Sequence, residues 1–357
     1  MSSPSILPPV QALEARLQAR WKNIADAREL AVQTRLTLKR AVTGLDSEDS
    51  SVVVSGSLAR DEFTLGSDID WSLLIDGQAD PNMVDVLPRI EQIVKGVSAK
   101  PLGRESTFGT LSFSHDLIHQ IGGEDDTNRN TTRRILLLLE SSPVGRPDAY
   151  ERVVKSILQR YINEDDGFRH GHGKYHVPRF LQNDFARYWR TMAVDFAYKR
   201  RSRCGHGAAM RNFKLRMSRK LIYVSGLLTC FSCQLNLHNS PRLFPCPSPI
   251  GSPECISCLR DFLRLAPLEI LATTLSAFPH LDSTALALFN AYDRFLGLLA
   301  DKKSREHLEA LPTDPDTNDP IWQEARQITH DFRDALLDMC FDKQSQLYDL
   351  TRMYGVF

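Results

Sequence analysis

Residues 51–75 read SVVVSGSLARDEFTLGSDIDWSLLI, two apolar runs joined by a turn that contains Gly56 and Gly66. The first run is β-branched, and both runs have the length of buried strands. Glycine allows backbone conformations and close approaches that other residues resist. The segment therefore predicts two strands, Ser51–Ser55 and Asp70–Ile75, connected by a glycine-containing turn.

Helical periodicity dominates the rest of the chain. We expect one long helix over Val10–Val42, another over Pro81–Val97, and a third strand around Thr110–Ser114. Strand signals almost vanish after about residue 145, and a proline-rich loop is expected at 236–254. The predicted fold class is α+β, a small mixed sheet flanked by helices and followed by a mostly helical part. The predicted domains are an N-terminal helix (1–45), an α/β domain (46–145) and a helical domain (146–357).

The overall charge of the chain restricts its partners. Its 357 residues carry 44 basic and 44 acidic side chains, so contact with a polyanion would need a local basic patch. No window approaches the ~18 uninterrupted apolar residues of a membrane span. The N-terminus lacks the basic start and apolar run of a secretory signal, which predicts a cytoplasmic protein without a membrane partner.

Two carboxylates two residues apart suggest metal chemistry. Residues i and i+2 of a strand project from the same face, so Asp68 and Asp70 would lie side by side. Like charges so close are unfavourable unless a cation lies between them, and carboxylate oxygens suit Mg²⁺. The Gly56-Ser57 turn offers backbone N–H groups and a hydroxyl to a phosphate. An Asp-x-Asp pair or a Gly-Ser turn alone is usually only a strand end or a turn, but together they favour a two-metal phosphoryl-transfer site.

With Arg60 and Glu62 included, the segment Gly56–Asp70 resembles the signature of the polymerase-β-like nucleotidyltransferases. It is most similar to the N-terminal domain of the protein-PII uridylyltransferases, and the resemblance continues through the segment 126–152. It implies transfer of a nucleoside monophosphate from an NTP to an acceptor hydroxyl, with release of pyrophosphate. The resemblance also implies that Asp68 and Asp70 bind two Mg²⁺ ions. The expected nucleotide-binding residues of this motif are Gly56, Ser57, Arg60 and Ser67.

Such enzymes usually have a third carboxylate on a neighbouring strand. We select Asp116 as a catalytic and metal-binding residue, because Thr110, Ser112, Ser114 and Asp116 would share one face of the third strand. The rivals are Asp125, Asp126 and Glu140. The acceptor stays open between a protein, an RNA and a small molecule. His115-Asp116 and His330-Asp331 lack the further ligands of the hydrolase domain in full-length PII uridylyltransferases, so PII is not assumed to be the acceptor.

The stretch between Arg187 and Lys220 is a distinct basic patch on a chain without net charge. Its side chains can bind the triphosphate or an RNA, or can form a solvated helix face whose stems pack on the core. We select Lys214 and Lys220 as triphosphate contacts. The alternative function is a catalytically degenerate protein that senses nucleotides or binds RNA.

Two further clusters invite a metal interpretation. Cys230-x-x-Cys233 and Cys255-x-x-Cys258 have the spacing of a structural zinc site, in which Cys246 could replace one ligand. Cysteines at the end of an apolar helix are more often small core residues, so both interpretations stay open. The tract His170–His176 contains three histidines without carboxylates, and we interpret it as a loop.

Overall fold

The computed structural model describes residues 7–78, 80–98, 108–170, 177–235, 253–312, 316 and 318–355. Four strands and the helices around them form an α+β fold. In chain order the labelled elements are α1 (Pro9–Leu17), α2 (Lys22–Ala41), β1 (Ser50–Ser55), β2 (Asp70–Ile75), α3 (Met83–Val97), β3 (Thr110–Phe113), α4 (Ser114–His119), α5 (Asn128–Leu139), β4 (Ser141–Pro143), α6 (Asp148–Glu164), α7 (Asp166–His170), α8 (Arg179–Ser202), α9 (Ala208–Lys214), α10 (Lys220–Ser232), α11 (Pro253–Leu263), α12 (Pro267–Ser276), α13 (Asp282–Ala300), α14 (Lys302–Ala310), α15 (Pro320–Phe341) and α16 (Gln346–Leu350).

The sheet has the strand order β3-β2-β1-β4. β1 pairs antiparallel with β2 and with β4, whereas β2 and β3 run parallel, so the sheet is mixed. The predicted bounds of β2 are confirmed, and β1 begins one residue earlier than predicted. The alternation of side chains along β1 and β2 is a local property, which explains why the sequence located both strands.

Both faces of the sheet are covered. Val52, Val54 and Leu73 pack on one face with residues of α2 and α3. Val53 and Leu74 pack on the other face, in a larger core that continues through α5, α6, α8 and the later helices. The sheet therefore shares its second core with residues far beyond 145, and this packing fixes the positions of the strand ends.

The predicted helix over Val10–Val42 is wrong in one respect, because it is two helices. Gln18 ends α1 with a left-handed backbone (φ 52°). The backbone N–H of Trp21 donates to Glu14 Oε1 at 2.7 Å, which stabilises the bend. The indole of Trp21 is buried and donates to Asn290 Oδ1 at 2.9 Å. Apolar periodicity continues across the bend, so the pattern alone did not reveal it.

The third strand is shorter than predicted. β3 ends at Phe113, and Ser114 begins the short helix α4, so Ser114 and Asp116 do not continue the strand face. The expected common face of Thr110, Ser112, Ser114 and Asp116 is therefore wrong beyond Ser112. Among the described residues, no helix is long and apolar enough to cross a bilayer.

Candidate active site

One end of the sheet brings three strand termini together. Asp70 begins β2, Ser55 ends β1 and Ser141 begins β4, and the register pairs Ser55 with both of the others. Glu140 lies just before β4, and its carbonyl accepts the N–H of Gly56 at 3.2 Å. This edge therefore collects the carboxylates around the Gly-Ser turn.

Asp68 and Asp70 lie at this edge with a buried residue between them. Ile69 is 1% exposed and packs in the core beneath the sheet, whereas the two aspartates are half-buried. Burial, together with the negative charges of Asp68 and Glu140, raises the pKa of Asp70 from 3.8 to about 7. Arg60 and Lys214 oppose this rise. The three carboxylates are thus close enough to repel one another, which is the electrostatic condition for a cation site.

Gly56 brings the backbone against Asp70. Its φ of +70° is a left-handed conformation that glycine adopts without strain. A Cβ at this position would lie 3.0 Å from Asp70 Oδ2. The absence of a side chain therefore keeps the space beside the carboxylate open. Gly56 begins a single 3₁₀ turn that places Ser57 directly after β1.

The loop before Asp68 is held in place by its own turn and by α14. Ser67 Oγ accepts the N–H of Thr64 at 3.2 Å, and the N–H of Ser67 donates to the carbonyl of Thr64 at 2.9 Å. The guanidinium of Arg305 lies against Gly66, where a Cβ would come within 0.8 Å of Arg305 Nη1. Ser67 therefore shapes the loop, and a larger residue at position 66 would require the end of the Arg305 side chain to move.

Arg60, which we expected to contact the nucleotide, is buried in a network of carboxylates. Its Nε and Nη2 donate to Glu62 Oε2 at 3.1 and 3.0 Å, and its Nη1 donates to Glu140 Oε2. Burial disfavours the charged guanidinium, but Glu62 and Glu140 outweigh that effect and raise the pKa of Arg60. The guanidinium is thus committed to protein partners, and it moderates the negative charge beside Asp70.

Two tyrosines complete this network. Tyr188 donates to Glu140 Oε1 at 2.7 Å, and Tyr292 donates to Glu62 Oε1 at 2.8 Å. Burial and the adjacent carboxylates raise the pKa of both phenols well above its ordinary value, so both keep their proton as donors. Neither tyrosine could be selected from the sequence, since each lies far from its carboxylate along the chain.

Asp116 lies at the other end of the sheet from Asp70. β2 and β3 run parallel, and Ile75 pairs with Phe113, so residues that follow β3 lie near the end of β2. The six residues of β2 span roughly 17 Å. Asp116 is half-exposed on α4, near His115. Glu140, which was a rival, is instead the third carboxylate beside Asp70.

The other two candidates for a third carboxylate, Asp126 and Asp125, are not among the groups that most affect the pKa of Asp70. Asp126 is buried and bonded to Arg134 at 2.8 Å and to Arg187 at 3.0 Å. Arg134 holds its pKa below the ordinary value, although burial acts in the opposite direction. Asp125 lies on an exposed loop. Asp126 therefore stabilises the packing of α5 against α8.

The basic stretch divides into separate roles. Lys214, the last residue of α9, is close enough to Asp70 to affect its pKa. Burial lowers the pKa of Lys220, and so do the positive charges of Arg216 and Arg333, which places Lys220 beside α15. Arg187 is paired with Asp126. Of the two selected lysines, the structure therefore brings Lys214 to the site.

The cysteine cluster falls partly outside the described residues, because Cys246 lies there. Cys230 on α10 and Cys255 on α11 are buried in the larger core, and burial raises the pKa of the Cys230 thiol. A thiol in such surroundings resists the deprotonation that zinc ligation needs. The structural zinc site stays a prediction. Residues 171–176, which include His172 and His176, also lie outside the described residues.

The donor set at the sheet edge fits a hard cation. Within the described ranges, no group of three His, Cys, Asp or Glu side chains is arranged to hold a metal ion. Asp68 and Asp70 supply two carboxylates, the number that Mg²⁺ typically takes from a protein when substrate phosphate and water complete its shell. The raised pKa of Asp70 means that a bound cation would relieve carboxylate repulsion there.

Comparison with protein-family models, with curated proteins and with solved structures gave no match. The functional interpretation of this edge of the sheet therefore rests on its residues and their geometry.

Proposed function

We propose that this protein is a Mg²⁺-dependent nucleotidyltransferase, which transfers a nucleoside monophosphate from an NTP to an acceptor hydroxyl. The observation that carries the proposal is the juxtaposition at the start of β2. Asp68, Asp70 and Glu140 interact there, and Gly56 leaves open space against Asp70 Oδ2. Lys214 adds a positive charge on the same side. Negative ligands for a cation and a glycine turn for phosphate are the two requirements of phosphoryl transfer.

The residues have separate roles in this reaction. Asp68 and Asp70 would hold Mg²⁺, which when bound neutralises charge on the triphosphate and on the transferring group. Ser57 would present its backbone N–H and its hydroxyl to the phosphates, and Gly56, whose own N–H is bonded to Glu140, leaves the space for them. Lys214 offers the triphosphate a positive charge. Arg60 and Glu140 are positioning residues, because their pairing fixes the turn between β1 and β2.

The chemical step balances without any further reactant. The acceptor hydroxyl oxygen forms a bond to the α-phosphorus, and the bond from that phosphorus to the bridging oxygen breaks. Pyrophosphate leaves with the electrons of that bond, and the hydroxyl proton is released to solvent. The contribution of the protein is positioning and charge neutralisation.

The test is isothermal titration of each of the four NTPs with Mg²⁺. We expect wild type to bind at least one NTP only when Mg²⁺ is present, and Asp68→Ala/Asp70→Ala to lose that binding. Asp76→Ala is the matched control, because Asp76 lies just beyond the other end of β2. The proposal fails if no NTP binds wild type at millimolar concentration, or if the double variant binds as wild type does.

A catalytically inactive nucleotide sensor is the second candidate. It is favoured by the absence, among the described residues, of three carboxylates arranged around one metal position, and by the engagement of Glu140 with Arg60 and Tyr188. Pyrophosphate release separates the two candidates. A sensor would bind NTP with Mg²⁺ and release none with any hydroxylated acceptor, whereas a transferase would release it in proportion to product.

A further inference from the structure

A small cavity with one polar side lies on the face of the sheet that carries Asp70. It is partly open and lies between the strands and α5. Its polar lining consists of Ser55, Ser72, Ser112 and Arg133, and the rest of its lining is apolar. The cavity offers about 30 Å³. This volume suits about two water molecules or one small charged group. A nucleoside would not fit in it.

One buried polar group that lines this cavity has no hydrogen-bond partner within the described part of the chain. Ser55 is 7% exposed, and neither it nor Ser72 or Ser112 has a hydrogen-bond partner for its hydroxyl among the described residues. Arg133 Nε is buried without a partner, and Arg133 Nη2 reaches Thr110 Oγ1 at only 3.4 Å. An unsatisfied buried donor is costly, which indicates that a ligand or ordered water completes Arg133 Nε.

The charge of the cavity indicates the chemistry of that ligand. Burial and the positive charge of Arg129 lower the pKa of Arg133, and the half-exposed Asp116 opposes them only in part. A guanidinium in these surroundings is stabilised by an oxyanion, to which it can donate charge-assisted hydrogen bonds. Serine hydroxyls can donate to the same oxyanion. A carboxylate or a phosphate therefore fits the polar side of the lining, and a cationic group, which Arg133 would repel, does not.

The cavity lies about two residues along β2 from the candidate active site. Ser55 is directly opposite Asp70 in the register, and Ser72 lies two residues along β2 on the same face. The spacing of such residues along a strand is roughly 7 Å. A ligand group in the cavity would thus lie on the order of 7 Å from the Asp70 end, the length of a small molecule.

We propose that this cavity binds the anionic group of a small acceptor molecule whose hydroxyl lies beside Asp70. The proposal rests on the proposed transferase function and narrows its acceptor to a hydroxylated carboxylic acid or phosphate ester. Arg133 pairs with the anion, and the three serines orient it. A molecule with the same hydroxyl but no anionic group would leave Arg133 Nε unsatisfied.

The test uses glycolate as the carboxylate probe and glycerol 3-phosphate as the phosphate probe, with binding to the full chain followed by ligand-observed NMR. We expect at least one probe to bind wild type. Arg133→Gln should weaken it about tenfold or more, the effect of losing a charged hydrogen bond. Arg89→Gln is the matched control, since Arg89 is exposed on α3, which covers the other face of the sheet, and it should bind as wild type does.

A second variant keeps the test valid if Arg133→Gln fails to fold. Ser72→Val fills the cavity without changing charge, and it should also abolish probe binding. Equal binding by wild type and both variants, or no binding of either probe to wild type, would overturn the anion site. A loss of NTP binding in Arg133→Gln with unchanged probe binding would assign Arg133 to the donor and also overturn the proposal.

The two proposals fail in distinguishable ways. Probe binding that depends on Arg133, without Mg²⁺-dependent binding of any NTP, would refute the transferase and the acceptor assignment with it. NTP binding with no probe binding would refute only the cavity. Support requires NTP binding that is insensitive to Arg133→Gln together with probe binding that is sensitive to it.

Discussion

Asp70→Asn should make the metal-free protein more stable at pH 8. The pKa of Asp70 is raised in the folded state to about 7, first by burial and then by Asp68 and Glu140, against an ordinary value of 3.8 in the unfolded chain. Between those two values the folded state keeps a proton that the unfolded state has lost. Stability therefore falls as pH rises from about 4 to about 7, and the loss is complete above that range.

The magnitude follows from the same pair of pKa values. A change from 3.8 to about 7 corresponds to about 4 kcal/mol of unfolding free energy lost at pH 8. Asparagine has the same shape and no charge, but its amide is also costly to bury, so we expect roughly half of that loss to be recovered, about 2 kcal/mol. For a chain of this length such a gain raises the thermal midpoint by about 3 °C.

The assay is thermal unfolding of wild type and Asp70→Asn in EDTA at pH 5 and pH 8. The thermal midpoint of the variant should exceed that of wild type by clearly more at pH 8 than at pH 5. At pH 5 most of the Asp70 carboxyl in the folded protein is still protonated. Asp76→Asn is the control, because Asp76 is paired with Arg152 at 2.9 Å. This variant should lose up to about 1 kcal/mol of unfolding free energy instead of gaining stability. An Asp70→Asn variant that is no more stable than wild type at pH 8 would refute the reasoning.

Three further predictions concern packing, two of them at the candidate site and one between α5 and α8. Gly56→Ala places a Cβ 3.0 Å from Asp70 Oδ2 at a φ of +70°. The substitution should lower the free energy of unfolding in urea by about 1–2 kcal/mol and weaken Mg²⁺-dependent NTP binding. Wild-type behaviour in both assays would contradict this prediction. Gly66→Ala displaces the guanidinium of Arg305, which is the flexible end of a long side chain. We therefore expect a change of no more than about 0.5 kcal/mol in urea unfolding, and a loss above about 2 kcal/mol would show that Arg305 cannot move. Arg134→Leu leaves two carboxylates without their buried partner and should destabilise the fold by about 3–5 kcal/mol, and a loss below about 1 kcal/mol in chemical denaturation would show that the charge is not needed there.

The sequence by itself determined the local geometry of the candidate site. Asp70 is the first residue of β2 and Asp68 lies just before it, and the buried Ile69 between them separates two half-buried carboxylates only two residues apart in the chain. The requirement for glycine at position 56 is also local, because it follows from a positive φ. These features depend on neighbours along the chain, so they could be predicted from the residues of the motif and their spacing.

Only the tertiary structure decided which distant residues reach that edge. Asp116 and Glu140 both lie near strands, but the parallel pairing of β3 sends Asp116 to the far end of the sheet, while the start of β4 brings Glu140 beside Asp70. Tyr188 is brought to Glu140 by helix packing, and Lys214 reaches Asp70 from the end of α9. Strand order, strand direction and helix packing are set by burial of apolar surface between segments far apart in the chain. The spacing of residues within a motif therefore cannot predict strand order, strand direction or helix packing.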